Sequence, residues 1–305
     1  MVGRFTVYLG ILFGVLGPVA CGGPMNSKPA VMSAADALAL PQPRADHVIS
    51  YGEDPLQRGE LRLPAGEGPH PVVVVIHGGC WLAEYDLGYI SGLAAALAET
   101  GFATWSIEYR RVGDIGGGWP GTFADVAAAT DFLRVIAADH DLDLDRVVTV
   151  GHSAGGHLAL WLAGRRWLDI EDPLRGEMPL RIGGVVALAG IPDLAAYSST
   201  TGCGAAVSEL LDGDPGEVPD RVGRASPIEL LPLGITQILV TGELDPIVPA
   251  GQARSYQQSA RRMGDTVEIR EIAGVGHFEL VVAKQAAFDV VSEAVGEAVA
   301  GASES

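Results

Sequence analysis

The chain has 305 residues, with 20 basic against 38 acidic side chains and a formal net charge of −18. Hydrophobic residues make up 48% of it, enough to cover a central sheet on both faces within one large domain. The acidity argues against nucleic acid as a partner, because nothing would neutralise phosphates, and otherwise reads as a soluble, self-repelling surface.

Met1 to Ala20 has the form of a targeting segment: Arg4 as a short positive start, an apolar run from Phe5 to Leu16, then small residues around Ala20-Cys21. The run is interrupted by Gly10, Gly14, Gly17 and Pro18 and is short for a membrane span. Export to the periplasm or cell envelope, or secretion, is therefore expected, with residues 1–21 as the signal. The Ala20-Cys21 junction resembles a bacterial lipoprotein signal in which Cys21 carries lipid and tethers the protein to a membrane. Pro18 departs from that pattern, which expects leucine at the third position before the cysteine. Residues 22–46, rich in Pro, Ala and Ser without a sustained period, read as a flexible tether. Within it Ala35 to Leu40 has the makings of one helical turn of no consequence.

A catalytic domain is expected over residues 47–300. His47 to Tyr51 and Glu60 to Leu63 look like an opening hairpin. Pro71 to Ile76 is a continuous apolar run, the mark of a strand buried on both faces, and it ends in His77-Gly78-Gly79-Cys80-Trp81. Gly88 to Thr100 has helical spacing, and Phe102 to Ile107 is the next strand. Gly113 to Gly121, containing Trp119-Pro120, lacks the lysine and spacing of a phosphate-binding loop and reads as a flexible connection. Thr122 to Asp139 reads as one long helix. Asp143 and Asp145 turn the chain into a strand ending at Gly151. Gly183 to Leu188, Thr236 to Val240 and Val267 to Ile272 are further strands, and Phe278 to about Ala300 is a closing helix. Residues 195–224, irregular and rich in Gly, Ser and Pro, have the composition of a lid. Strands alternating with helices predict a doubly wound, mostly parallel sheet with helices on both faces, where ligands sit at the strand C-termini.

The chemistry concentrates at Val147-Val148-Thr149-Val150-Gly151-His152-Ser153-Ala154-Gly155-Gly156, a strand running through Gly-x-Ser-x-Gly into a helix. That is the sequence of a nucleophile elbow, whose sharp turn lifts the serine hydroxyl towards a base and a substrate carbonyl. His277 is the one histidine C-terminal to His157 and lies in a loop after the last strand, where a base can reach Ser153. For the acid, Asp245 follows the penultimate strand, with Glu243 and Asp193 as competitors. Oxyanion donors are expected from the N–H groups of Ala154 and of the His77 to Trp81 turn, specifically Gly79 and Cys80. Trp81 and Trp119 are candidates to shape a substrate pocket. The three cysteines, Cys21, Cys80 and Cys203, make no disulfide framework. With no Cys-x-x-Cys and no His-Glu-x-x-His, neither a metal nor another cofactor is expected.

Over roughly His47 to Ala300 the chain resembles the esterase/lipase branch of the α/β-hydrolase superfamily. The His77-Gly78-Gly79-Cys80-Trp81 turn, Tyr109-Arg110, Trp119-Pro120 with Asp125, and Gly151 to His157 are similar to bacterial acetyl-xylan/feruloyl esterase-like and kynurenine formamidase-like enzymes. The resemblance implies a Ser153, Asp245 and His277 triad, an oxyanion hole of Gly79, Cys80 and Ala154, and a small-molecule ester as substrate. An aryl formamidase acting on the same site chemistry is the alternative. The motifs are specific for fold and triad and silent on oligomeric state.

Overall fold

The computed structural model describes residue 3 and residues 31–303. The expected signal and Cys21 lie outside the described residues, as does the tether up to residue 30. Eight strands form one sheet: β1 His47–Ser50, β2 Arg58–Arg62, β3 His70–Ile76, β4 Ala103–Ile107, β5 Leu142–His152, β6 Gly184–Leu188, β7 Thr236–Gly242 and β8 Val267–Ile272. Their order is β1-β2-β4-β3-β5-β6-β7-β8. β1 and β2 pair antiparallel, β2 meets β4 antiparallel, and every later pairing is parallel. This is the α/β-hydrolase architecture.

Helices cover both faces, and β5 and β6 show how. Thr149 Oγ1 donates to the Ala159 carbonyl at 3.1 Å, so that side chain faces the helix Ala154–Gly164. Thr149 pairs with Val185, whose neighbour Gly184 must point to the opposite face. There a Cβ on Gly184 would lie 3.0 Å from that of Ala298, in the closing helix Ala286–Ala302. Covered on both sides, β4 and β6 are buried along their whole length; β6 therefore reads as an unbroken apolar run, while β4 also buries Thr104 and Ser106.

Several elements differ from expectation for physical reasons. The helix expected from Thr122 to Asp139 is split into Gly121–Asp131, Leu133–Ile136 and a 3₁₀ turn at Ala138–His140. The aspartates at 143 and 145 lie inside β5, whose register against β3 shifts between Pro71 and Val72. The glycine-rich loop before Thr122 is held in place: the Thr122 hydroxyl accepts from Gly118 N–H at 3.0 Å and donates to the Arg110 carbonyl at 2.6 Å. Arg110 in turn grips Asp125 with Nε at 2.8 Å and Nη2 at 2.7 Å. The stretch expected to be irregular folds into three helices, Leu194–Tyr197, Ala206–Leu211 and Pro219–Ala225, whose apolar side chains Tyr197, Leu210 and Ala225 are fully buried.

The largest correction concerns the tether. From Val31 onwards the chain belongs to the same compact unit as the sheet. Ser33 caps a helix at Ala34–Leu38 through a capping box with Asp36: Asp36 N–H donates to Ser33 Oγ at 3.2 Å and Ser33 N–H to Asp36 Oδ2 at 2.9 Å. Ala37 on its inner face is 1% exposed. Composition hid this, because a turn of Ala and Leu between prolines reads as linker until a surface is there to receive it.

Candidate active site

Ser153 stands between β5 and the helix Ala154–Gly164 with φ 58° and ψ −121°, a left-handed, strained backbone for a residue with a side chain. The elbow can turn this tightly only with glycine on either side. A Cβ on Gly151 would sit 2.0 Å from the Gly155 carbonyl oxygen, and one on Gly155 would sit 2.2 Å from that of Ile76. Ser153 N–H is tied across the sheet to the Leu188 carbonyl at 2.8 Å. The helix behind it is buried throughout and apolar except at His157.

His277 follows β8, just before the 3₁₀ turn Phe278–Val281. Its Nδ1 lies 2.7 Å from Asp245 Oδ2, and both side chains are buried. Asp245 Oδ1 accepts from the N–H groups of Ile247 at 2.7 Å and Val248 at 2.9 Å. An acceptor-only carboxylate there makes His277 Nδ1 the donor and leaves Nε2 as an open lone pair. The competing acids are engaged elsewhere: Glu243 accepts from Gly274 N–H at 2.8 Å, and Asp193 caps the helix Leu194–Tyr197 through Ala196 N–H at 2.9 Å. Ser153 and His277 line one cavity of about 90 Å³, together with Gly79 and Cys80.

The turn after β3 holds three consecutive residues at positive φ: Gly79 at 104°, Cys80 at 54° and Trp81 at 60°. A Cβ on Gly79 would also strike Tyr85. The backbone N–H groups of Gly79, Cys80 and Ala154 meet no acceptor among the described residues. Beneath the turn, His77 Nε2 meets Glu108 Oε1 at 2.9 Å while Nδ1 meets the Gly78 carbonyl at 2.8 Å. The two contacts fix the orientation of the His77 ring beneath the turn. Burial pushes the Glu108 carboxyl up, but His77 and then Arg111 outweigh it and hold it below the ordinary glutamate value.

His152, next to the serine, links three parts of the site. Its Nε2 faces the His277 carbonyl at 3.0 Å, so it bears the proton, and Nδ1 accepts from the Tyr89 hydroxyl at 3.1 Å. The Tyr89 oxygen accepts from Gly78 N–H at 2.6 Å. Burial, with His277 alongside, pushes His152 well below the ordinary histidine value, and burial raises Tyr89. The chain of donors and acceptors is thereby held in one protonation pattern.

The expected pocket tryptophans stand elsewhere. Trp81 is fully buried, with Nε1 donating to His157 Nδ1 at 3.1 Å. Trp119 packs edge-on against Phe123, ring centroids 5.4 Å apart, under the Arg224 guanidinium. Neither lines the Ser153 cavity, because positive φ at Trp81 swings its indole into the core. The walls are Ala34, Ala37, Leu38, Tyr85, Tyr89, Ile247 and Phe278, with Cys203 beside Cys80. Cys80 and Cys203 form a disulfide across 123 residues, with Cα atoms 5.4 Å apart. Cysteines expected to make no disulfide framework thus supply one bridge. Parity could have signalled it, since assigning Cys21 to a lipoprotein signal leaves an even pair. No local sequence signal marks Tyr89, whose role arises only from the fold.

A family model described as BD-FAE matches residues 60–259. Esterase LipC of Mycobacterium tuberculosis is 29% identical over 252 residues, covering 76% of this chain and 60% of LipC. A probable carboxylic ester hydrolase of the same organism, LipM, is 27% identical over 268 residues, covering 81% of this chain and 59% of LipM. The chain thus spans about three fifths of the length of these relatives. Among solved structures, esterase B from Lactobacillus rhamnosis superposes with a TM-score of 0.75 at 20% identity, over 88% of this chain and 90% of that one. At that identity the likeness speaks for the fold.

Proposed function

The chain belongs to the BD-FAE family, and from that premise we propose that it hydrolyses carboxylic esters through an acyl-serine intermediate. His277 Nε2 takes the Ser153 proton while Asp245 steadies the imidazolium through Nδ1. The freed Oγ attacks the ester carbonyl, and the oxygen that gains charge accepts from the N–H groups of Ala154, Gly79 and Cys80. Collapse of the tetrahedral adduct breaks the carbon–oxygen bond, and His277 gives its proton to the departing alcohol. Water, deprotonated by the same imidazole, then attacks the acyl-serine and releases the carboxylic acid. The reading is supported above all by one observation: an elbow serine and an imidazole anchored 2.7 Å from a buried carboxylate open onto one cavity. Three N–H groups beside that cavity, without an acceptor among the described residues, suit a developing oxyanion.

The test is Ser153→Ala against short p-nitrophenyl esters. Turnover should fall by at least ~10⁴-fold, and fluorophosphonate labelling of the protein should vanish. Undiminished activity would mean another site or a contaminant. N-formylkynurenine assayed beside the esters decides the bond type, and a large preference for it would replace the ester reading with an amidase.

We further propose that the protein is exported and held at the cell envelope through lipidated Cys21, and that residues 195–224 act as the lid over the site. The pairing of Cys80 with Cys203 supports an oxidising compartment, where such bridges persist.

A further inference from the structure

We propose that the helix Ala34–Leu38 is the wall that sets acyl-chain length at the serine site, restricting it to short acyl groups; this rests on the ester-hydrolase reading above. The helix contributes Ala34, Ala37 and Leu38 to the cavity holding Ser153 and His277, which Tyr85, Ile247 and Phe278 also line. Ala37 is 1% exposed and Leu38 is 44% exposed, so the first closes the chamber and the second stands at its rim. A cavity of about 90 Å³ is small beside the roughly 300–1,000 Å³ of typical ligand sites. It is faced with methyl, isobutyl and aromatic groups, which suit a short hydrocarbon arm. The acyl arm fits such a chamber best, because it stays bound through both half-reactions while the alcohol needs a path to solvent.

A helix of this length does not persist in water unaided, and the structure shows what holds it. Met32 N–H donates to Glu279 Oε1 at 2.5 Å, two residues beyond His277. Val31 packs so closely on Gly276 that a Cβ there would lie 2.8 Å from its own. The capping box at Ser33 and Asp36 closes the first turn, and Leu40 beyond it leans on the core. The wall is thus fastened to the loop that carries the base, and its geometry is registered against the reacting atoms.

The experiment compares wild type, Ala37→Phe and Leu38→Ala on p-nitrophenyl acetate, butyrate and octanoate, with a parallel series of acetates of lengthening alcohols. Ala37→Phe fills the chamber and should lower the butyrate-to-acetate ratio of kcat/KM by about tenfold or more. Leu38→Ala opens the rim and should raise the octanoate-to-acetate ratio by about fourfold or more. Wild-type ratios in folded variants, or changes confined to the alcohol series, overturn the assignment. If Ala37→Phe fails to fold, as a melting curve would reveal, Leu38→Ala decides alone. A wild type that turns over no ester sinks the parent reading only. In that case labelling rates with ethyl, butyl and octyl phosphonofluoridates, which need a reactive serine but no turnover, still read the wall.

Discussion

His157 lies wholly inside the protein between Trp81 Nε1, from which its Nδ1 accepts, and the Ala225 carbonyl, to which its Nε2 donates at 2.9 Å. Both ring nitrogens are satisfied only in the neutral form, and burial lowers the side chain from 6.5 to about 4. Because the unfolded chain takes up this proton more readily than the folded one, the contribution to stability is complete above about pH 6.5. It is lost progressively as the pH falls towards about 4. A shift of this size corresponds to about 3 kcal/mol. Urea denaturation at a series of pH values should show that decline, and His157→Gln, which cannot take a proton, should flatten it by roughly one proton's slope. An identical pH dependence in the variant would mean that His157 is not the group responsible. At this scale the sequence was legible where the backbone demands a residue type, at the glycines that flank Ser153 in the elbow. It was opaque at Tyr89 and Trp81, whose surroundings are made by neighbours distant in the chain.

Among the elements, the turn after β3 and the insertion before β7 depend on one another. The turn keeps Cys80 and Trp81 at positive φ, a conformation that costs on the order of 1 kcal/mol or more per residue unless its surroundings enforce it. The disulfide to Cys203 enforces it from one side, and the Trp81 to His157 hydrogen bond from the other. Cys203→Ser should lower unfolding stability by about 2–5 kcal/mol. It should also lower kcat for short esters more than it raises KM, because the N–H groups proposed to receive the oxyanion would loosen, which affects the transition state more than binding. Thermal melts and steady-state kinetics with and without reductant check this: reduced wild type should converge on the variant. A variant as stable and as active as wild type would show that the turn holds itself. The insertion misled composition-based reading because its helices are short and gain order from packing and from this bridge.

For the whole molecule, expectation and structure agree on the sheet, since its buried strands carry their signal in contiguous apolar residues that packing cannot rearrange. They part at the N-terminal side, where a segment expected to be a tether closes the cavity from residue 31 onwards. The proposed processing at Ala20-Cys21 makes a separate prediction. The mature protein from membranes should begin at Cys21, with a mass raised by a lipid group, and Cys21→Ala should release it to the soluble fraction. An unprocessed Met1 terminus, or an unmodified Cys21, would remove the anchor from the account. The sequence by itself determined the strand–turn–helix around Ser153 and the parallel sheet, because each is written in local pattern. Only the tertiary structure decided which carboxylate meets His277, which cysteines pair and which side chains line the cavity. Those facts depend on distances between residues that the chain keeps far apart until the core forms.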